Sequence, residues 1–108
     1  LFRLRTADDI TQRLRFHNTG PDQVPTVVAA QIDGKGYAGA GFKSVLYLIN
    51  VDKTAQRIAL PADARRPYRL HPVQAAANAA DPRAREARYD AATGTVTVPA
   101  RTAVVFVE

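Results

Sequence analysis

The sequence predicts an all-β fold: an antiparallel β-sandwich with one short N-terminal helix. The chain has 108 residues, which is the size of a single domain. Its apolar residues fall into six or seven short runs that are rich in valine, isoleucine and aromatic side chains. Turn-forming Gly, Pro, Asn and Asp separate these runs, a pattern that is typical of sandwiches.

The one helix is predicted near the N-terminus, from about Ala7 to Leu14. Thr6 and Asp9 have the spacing of a capping box, with Asp in place of the usual Glu. Acidic residues in the first turn also suit the positive end of the helix dipole. An extended segment follows from Phe16, and the Asn-Thr-Gly-Pro-Asp turn at 18–22 prevents any helix from continuing.

Four strands are expected in the middle of the chain. The run at 43–51 is apolar on both faces, as in a strand that is covered on both sides. The alanine-rich stretch at 74–84 contains Asn, Asp and Pro and is predicted to be a loop. The four strands are Val24–Asp33, Lys43–Val51, Gln56–Leu60 and Tyr68–His71.

The sequence pattern after residue 86 predicts a β-hairpin and a final strand. Residues 87–90 and 95–98 form the hairpin, with a loop of about four residues and Gly94 at its left-handed position. Pro99 to Arg101 turns the chain again, and Thr102 to Val107 is the terminal strand.

The chain is basic, with 15 Lys and Arg against 10 Asp and Glu and a net charge of +5. The arginines are spread along the whole chain and many have acidic neighbours, so we expect no nucleic-acid partner. No apolar run approaches the ~18–20 residues of a membrane span, which predicts no membrane insertion. The absence of cysteine excludes disulfides and thiolate chemistry. No targeting segment is apparent, which leaves secretion and a cytoplasmic location both open.

We predict no catalytic, cofactor-binding or metal-ligating residue in the chain. The Gly-Lys-Gly-Tyr-Ala-Gly motif at 34–39 precedes a strand instead of a helix, so it is interpreted as a flexible loop. His17 and His71 are far apart and have no ligand spacing. Ser44 is the only serine and lacks the flanking glycines of a nucleophile elbow. The aspartates in the body of the chain lie at predicted turns, where Asp is common.

Several stretches, taken together, resemble the C-terminal domain of pullulanase-type α-1,6-glucosidases, the starch-debranching enzymes of glycoside hydrolase family 13. The resemblance spans essentially the whole chain, and its most specific parts are Arg-Phe-His-Asn-Thr-Gly-Pro-Asp-Gln and Thr-Val-Pro-Ala-Arg-Thr. The stretches that carry it are residues 1–4, 6–10, 15–25, 70–74, 90–94, 97–102 and 105–107.

The resemblance implies that Leu1 begins where a catalytic (β/α)8 barrel ends. Residues 1–19 would then be a barrel-exit segment with a short helix, and residues 20–108 the β-sandwich, within one structural domain. The three carboxylates of such enzymes lie in the barrel, and no catalytic residue carries over to this chain. Its apolar entry residues would contact the barrel: Leu1, Phe2, Leu4 and Phe16.

The resemblance therefore implies a non-catalytic accessory domain that stabilises the barrel of an enzyme hydrolysing α-1,6-glucosidic linkages in pullulan, starch or glycogen. One alternative is a carbohydrate-binding module for α-glucans, although the absence of tryptophan removes the usual aromatic platform. Another is an anion or nucleic-acid binder that uses the arginines.

Overall fold

A computed structural model describes residues 3–108 of the chain, and it confirms the antiparallel all-β fold. Eight strands of the described residues form two sheets, in the orders β1-β2-β3-β8-β5 and β4-β7-β6. The strands are β1 (Leu14–His17), β2 (Val27–Asp33), β3 (Ser44–Asn50), β4 (Gln56–Ala59), β5 (Arg69–Leu70), β6 (Arg88–Asp90), β7 (Thr95–Val98) and β8 (Thr102–Val107).

The predicted N-terminal helix is present as α1 (Ala7–Arg13). The Thr6 side chain accepts a hydrogen bond from the Asp9 backbone N–H at 3.1 Å, as the capping spacing predicts. Leu14 does not belong to the helix, because its backbone is already extended and it begins β1. The helix therefore ends one residue earlier than predicted, and the chain passes directly into the large sheet.

The loop predicted at 74–84 is more structured than the sequence suggested. A single helical turn, α2 (Pro72–Ala75), begins at a proline and is capped by the His71 side chain. A 3-10 segment, Pro82–Glu86, has Asp81 as its capping residue. A third short piece, Pro61–Asp63, also starts at proline. In each case proline presets the φ angle of the first residue, which favours the start of a helical turn.

The core lies between the two sheets. Its fully buried members include Leu46 and Leu48 of β3, Val96 and Val98 of β7, and Val104 of β8. Every second residue of these strands points inward, so both sheets contribute their apolar positions to one cluster.

Asn50, also fully buried, joins the sheets with its side chain. Its Nδ2 lies within hydrogen-bond distance of the carbonyl oxygens of Val98 and Pro99, at 3.3 and 3.1 Å. β3 of the large sheet is thereby bound to the end of β7 in the small sheet.

The hairpin between β6 and β7 has the predicted four-residue loop, and Gly94 has a φ of +73°. A Cβ at this position would lie 2.2 Å from the carbonyl oxygen of Leu60. The Leu60 backbone N–H donates to the Gly94 carbonyl at 3.0 Å, so the loop packs directly on the end of β4. Glycine is required here by both conformation and space.

Candidate functional site

The outer face of the five-stranded sheet, which points away from the core, is almost entirely apolar. Strand register places Phe16, Ala30, Tyr47 and Val105 in one row across four strands. Val28, Ile49 and Ala103 form the next row. Antiparallel sheets with one solvated face usually carry polar residues there. The apolar members of the outer face are Leu14, Phe16, Val28, Ala30, Ile32, Val45, Tyr47, Ile49, Ala103, Val105 and Val107. Arg69 of β5, opposite Val107, is the charged residue on this face.

One end of this face is covered within the domain. Ile32, Val45 and Val107 are exposed by no more than 4% and lie in a single row of the sheet. Helix α1 contacts β1 and β2. The chain therefore supplies its own cover for about half of the outer face.

The other end is open to solvent. Phe16 is 57% exposed, Val28 48% and Ile49 40%, and Ala103 beside them is also exposed. We refer to these four residues as the open patch. Val51, which follows β3, extends it and is 68% exposed. Contiguous exposed apolar surface of this kind marks a site of interaction with another body.

The structure places only part of the predicted contact set on this surface. Phe16 lies in the open patch, and Leu4 is half-buried in the segment before α1. Leu1 and Phe2 lie outside the described residues. Sequence reasoning missed Val28 and Ile49, although the run at 43–51 was already recognised as apolar on both faces.

The turn after β1 is held in place by Asn18, which has a φ of +52°. Its Nδ2 donates to the carbonyls of Val24 and Val27, and its Oδ1 accepts from the Val24 N–H, all at 2.8 Å. These three bonds tie the turn to the start of β2 and fix the position of Phe16 two residues earlier. The specific Arg-Phe-His-Asn stretch thus has a structural role beside the open patch.

On the inner side of the same sheet lies a buried polar network. Gln31 Nε2 is 3.0 Å from the Tyr68 hydroxyl and 3.2 Å from Asp63 Oδ1. The Ser44 hydroxyl lies 2.7 Å from that of Tyr68. Burial raises the pKa of Tyr68, against the lowering effect of its hydrogen bond to Ser44. The polar network comprises His17, Gln31, Ser44, Asp63, Arg66, Tyr68 and Glu108.

Arg66 completes the polar network at its solvent side. Its guanidinium contacts Asp63 at 3.2 Å and Glu108 at 2.6 Å. Burial would lower the pKa of Arg66, but the hydrogen bond to Glu108 and the nearby negative charge outweigh it and raise the pKa. The guanidinium therefore stays charged and holds the end of the chain against the segment after β4.

The polar network does not form a catalytic site. Ser44 is fully buried, so no substrate can reach its hydroxyl. Asp63, interpreted from sequence as a turn residue, is 4% exposed and serves as an anchor for Gln31 and Arg66. Within residues 3–108 there is no group of three or more potential metal ligands. No helix in this part of the chain is long and apolar enough to cross a membrane.

Exposed aromatic side chains are scarce. Tyr37, in the loop before β3, is half-buried, with the Arg13 guanidinium 4.8 Å from its ring centroid. Phe16 is the only exposed aromatic residue among those that the structure describes. A sugar-stacking platform is therefore limited to this one side chain.

Comparison with known proteins agrees with the resemblance described from the sequence. The family model described as "Alpha-1,6-glucosidases, pullulanase-type, C-terminal" matches residues 1–108. The chain is 37% identical over 116 residues to "Pullulanase 1, chloroplastic" of Arabidopsis thaliana and covers 12% of that protein.

Solved structures agree. A crystal structure of PulA from Klebsiella oxytoca matches 88% of the chain with a TM-score of 0.67 and 28% identity, over 9% of its own length. A pullulanase mutant from Paenibacillus barengoltzii, crystallised with maltotriose, matches 98% of the chain with a TM-score of 0.67 and 25% identity, over 14% of its length. The chain thus spans a small fraction of each relative that it matches.

Proposed function

The chain belongs to the family of C-terminal domains of pullulanase-type α-1,6-glucosidases, and on this premise we propose that it serves a starch-debranching glycoside hydrolase as a non-catalytic accessory domain. The enzyme would hydrolyse α-1,6-glucosidic linkages in pullulan, starch or glycogen. The sandwich would stabilise the catalytic (β/α)8 barrel by packing its open patch against it.

The observation that carries this proposal is the unequal covering of the outer face. Ile32 and Val45 are buried under the domain's own elements, whereas Val28 and Ile49 of the same strands are 48% and 40% exposed. Burying apolar surface is favourable by about 25 cal/mol per Å², so such a patch is stabilised by a partner. The relatives are far longer than this chain, and this supports the rest of the enzyme as that partner.

The N-terminal segment fits the same arrangement. We propose that residues 1–19 lead from the barrel into the domain and that residues 20–108 form most of the sandwich. α1 packs on the large sheet, so the entering chain lies on the same sheet as the open patch. Phe16 would then contact the barrel directly, with Leu4 close to the connection and Leu1 and Phe2 forming the connection itself.

The test compares two double variants in the intact enzyme. Val28→Thr with Ile49→Thr makes the open patch polar while keeping β-branched side chains. Arg57→Thr with Ala59→Thr introduces the same two threonines at exposed positions of β4 in the small sheet. We expect only the first pair to lower the thermal unfolding temperature of the enzyme, because only it weakens the contact with the barrel.

If both pairs leave the unfolding temperature equally unaffected, the open patch does not face the barrel. Proteolysis provides a second readout, since a detached domain exposes the connecting segment to cleavage. Cleavage before residue 20 that increases in the first pair and not in the control supports the proposal.

The alternative function, a carbohydrate-binding module for α-glucans, rests on the exposed ring of Phe16. Affinity electrophoresis of the isolated domain in an amylopectin gel separates the two functions. Retardation that Phe16→Ala abolishes would support glycan binding at the open patch. Migration that is unaffected by amylopectin supports the accessory role.

A further inference from the structure

A basic cavity of about 420 Å³ opens next to the polar network. Its volume falls within the range of ~300–1,000 Å³ that is typical of small-molecule sites. Five cationic side chains line it, and they come from α1, β1, the loop before β3 and the segment after β4. They are Arg13, Arg15, Lys35, Lys43 and Arg66.

The two carboxylates in the lining offset only part of this positive charge. Glu108 already accepts hydrogen bonds from Arg66, at 2.6 and 2.9 Å. Asp33 Oδ1 accepts from the backbone N–H of Lys35 at 2.9 Å. None of the ion pairs among residues 3–108 involves the side chains of Arg15, Lys35 or Lys43.

Arg13 provides a further unused donor. Its Nη1 donates to the carbonyls of Asp33 and Lys35, both at 3.0 Å, and its guanidinium lies over the Tyr37 ring. These contacts fix the position of the group, but its Nε is buried without a partner. A buried, unpaired donor on a charged group is costly and calls for an acceptor.

Solvated surface charge is the ordinary explanation for exposed lysine and arginine. It does not account for unpaired cations from separate segments that meet in one cavity, because like charges held together repel. Nor does the cavity suit a nucleic acid, which needs an extended basic groove with stacking aromatics. A compact anion with two charges fits best.

We propose that this cavity binds a phosphate monoester. Such a group carries between −1.5 and −2 charges at about pH 7 and three strong acceptor oxygens. Arg15 would supply the planar fork that matches phosphate, and Lys43 and Lys35 the point charges. Two sources share this chemistry: a free sugar phosphate, or a phosphate carried by an α-glucan chain, the latter resting on the proposed function.

The cavity and the open patch lie on opposite sides of the large sheet. Arg15 and Phe16 are consecutive residues of β1 and therefore point to opposite faces. Packing of the open patch against a barrel would leave Arg15 and its neighbours accessible. The two proposals can consequently fail independently of each other.

The experiment titrates the intact protein with glucose 6-phosphate by calorimetry at low ionic strength, with glucose as the uncharged control. We expect saturable binding of the phosphate ester only. Arg15→Gln with Lys43→Gln should raise Kd about tenfold or more, because two charge-assisted contacts are lost. Lys53→Gln with Arg85→Gln removes the same charge from exposed positions outside the cavity and should leave Kd within about twofold.

Absence of saturable binding would overturn the proposal, and so would an equal loss of affinity in both double variants, since that indicates non-specific attraction. The single variant Lys43→Gln repeats the test if the double variant unfolds. Gel retardation on a phosphorylated α-glucan and on the same glucan after phosphatase treatment then identifies the source. Stronger retardation by the phosphorylated form supports a polymer-borne group, and equal mobility with retained binding of glucose 6-phosphate supports a free sugar phosphate.

Discussion

The outer face of the three-stranded sheet is polar, whereas that of the five-stranded sheet is apolar. In the small sheet, Arg57 pairs with Thr97, which pairs with Arg88, and all three point away from the core. In the large sheet the equivalent surface carries Val28 and Ile49. The small sheet alternates as expected for a sheet that faces water. The large sheet does not, and this difference is the basis of the proposal that its outer face packs against the rest of the enzyme.

The largest loss of unfolding free energy is expected from a substitution in the hairpin of the small sheet. Gly94→Ala places a Cβ 2.2 Å from the Leu60 carbonyl oxygen and forces alanine into a left-handed conformation. We expect a loss of about 4 kcal/mol or more of unfolding free energy, or no folding. Denaturant titration of the purified chain measures it.

Gly36→Ala is the matched control, because Gly36 has a similar φ of +72° but no neighbouring atom within 4 Å of the place that a Cβ would occupy. Its cost should be about 1 kcal/mol, from conformation alone. Equal costs at the two glycines would show that the contact with Leu60 does not limit the hairpin.

The next test compares neighbours on opposite sides of β3. Leu48 is fully buried, so Leu48→Ala should cost about 3 kcal/mol. Ile49 is 40% exposed, and Ile49→Ala should cost less than about 1 kcal/mol in this chain. If the proposed docking is correct, the cost of the Ile49 variant rises in the intact enzyme, as measured by thermal unfolding. A cost that is identical in both settings contradicts the docking.

A smaller loss of unfolding free energy is expected from a substitution at Asn50, which joins the two sheets. Asn50→Ala removes the donor that serves the carbonyls of Val98 and Pro99, and it leaves both of them without that partner. We expect a loss of about 2 kcal/mol. Asn78→Ala, at an exposed position, should be close to neutral in the same denaturant titration. A neutral Asn50→Ala would mean that core packing alone holds the sheets together.

The smallest effect is expected in the pH dependence of stability, through Tyr68. Because burial raises the pKa of Tyr68, the folded state favours the neutral phenol. The resulting stability is fully present below about pH 10, the pKa of an unfolded tyrosine, and is lost as the pH rises through the higher folded value. Unfolding free energies measured at increasing pH should fall less steeply above about pH 10 for Tyr68→Phe than for the wild type. Parallel curves would contradict a role for this phenol.

Much of the fold could be predicted because its signals are local. Alternation in Thr95–Val98 and the glycine at 94 were enough to predict the hairpin, and Thr6 with Asp9 predicted the start of α1. The predicted start of β2 at Val24 was wrong by three residues. Val24 belongs to the turn that Asn18 holds, and the strand begins at Val27. That difference comes from side-chain hydrogen bonds across the turn, which periodicity does not report.

The sites were harder to predict because they depend on contacts between distant segments. Gln31 and Tyr68 are 37 positions apart, and Arg66 and Glu108 are 42 apart, yet each pair is hydrogen-bonded. Asp63 is indistinguishable in sequence from the other turn aspartates, yet the fold buries it. The sequence predicted only part of the open patch. The apolar run at 43–51 indicated a strand covered on both sides, but strand register was needed to place Phe16 beside it.

The Gln74 side chain covers a part of β8 that β5 leaves unpaired. Its amide accepts from the Val105 N–H at 2.8 Å and donates to the Ala103 carbonyl at 3.1 Å, beyond the two-residue strand β5. It thereby occupies the backbone groups of β8 that another molecule's strand would otherwise bind. One side-chain amide thus caps this stretch of β8 and removes it as a template for strand pairing.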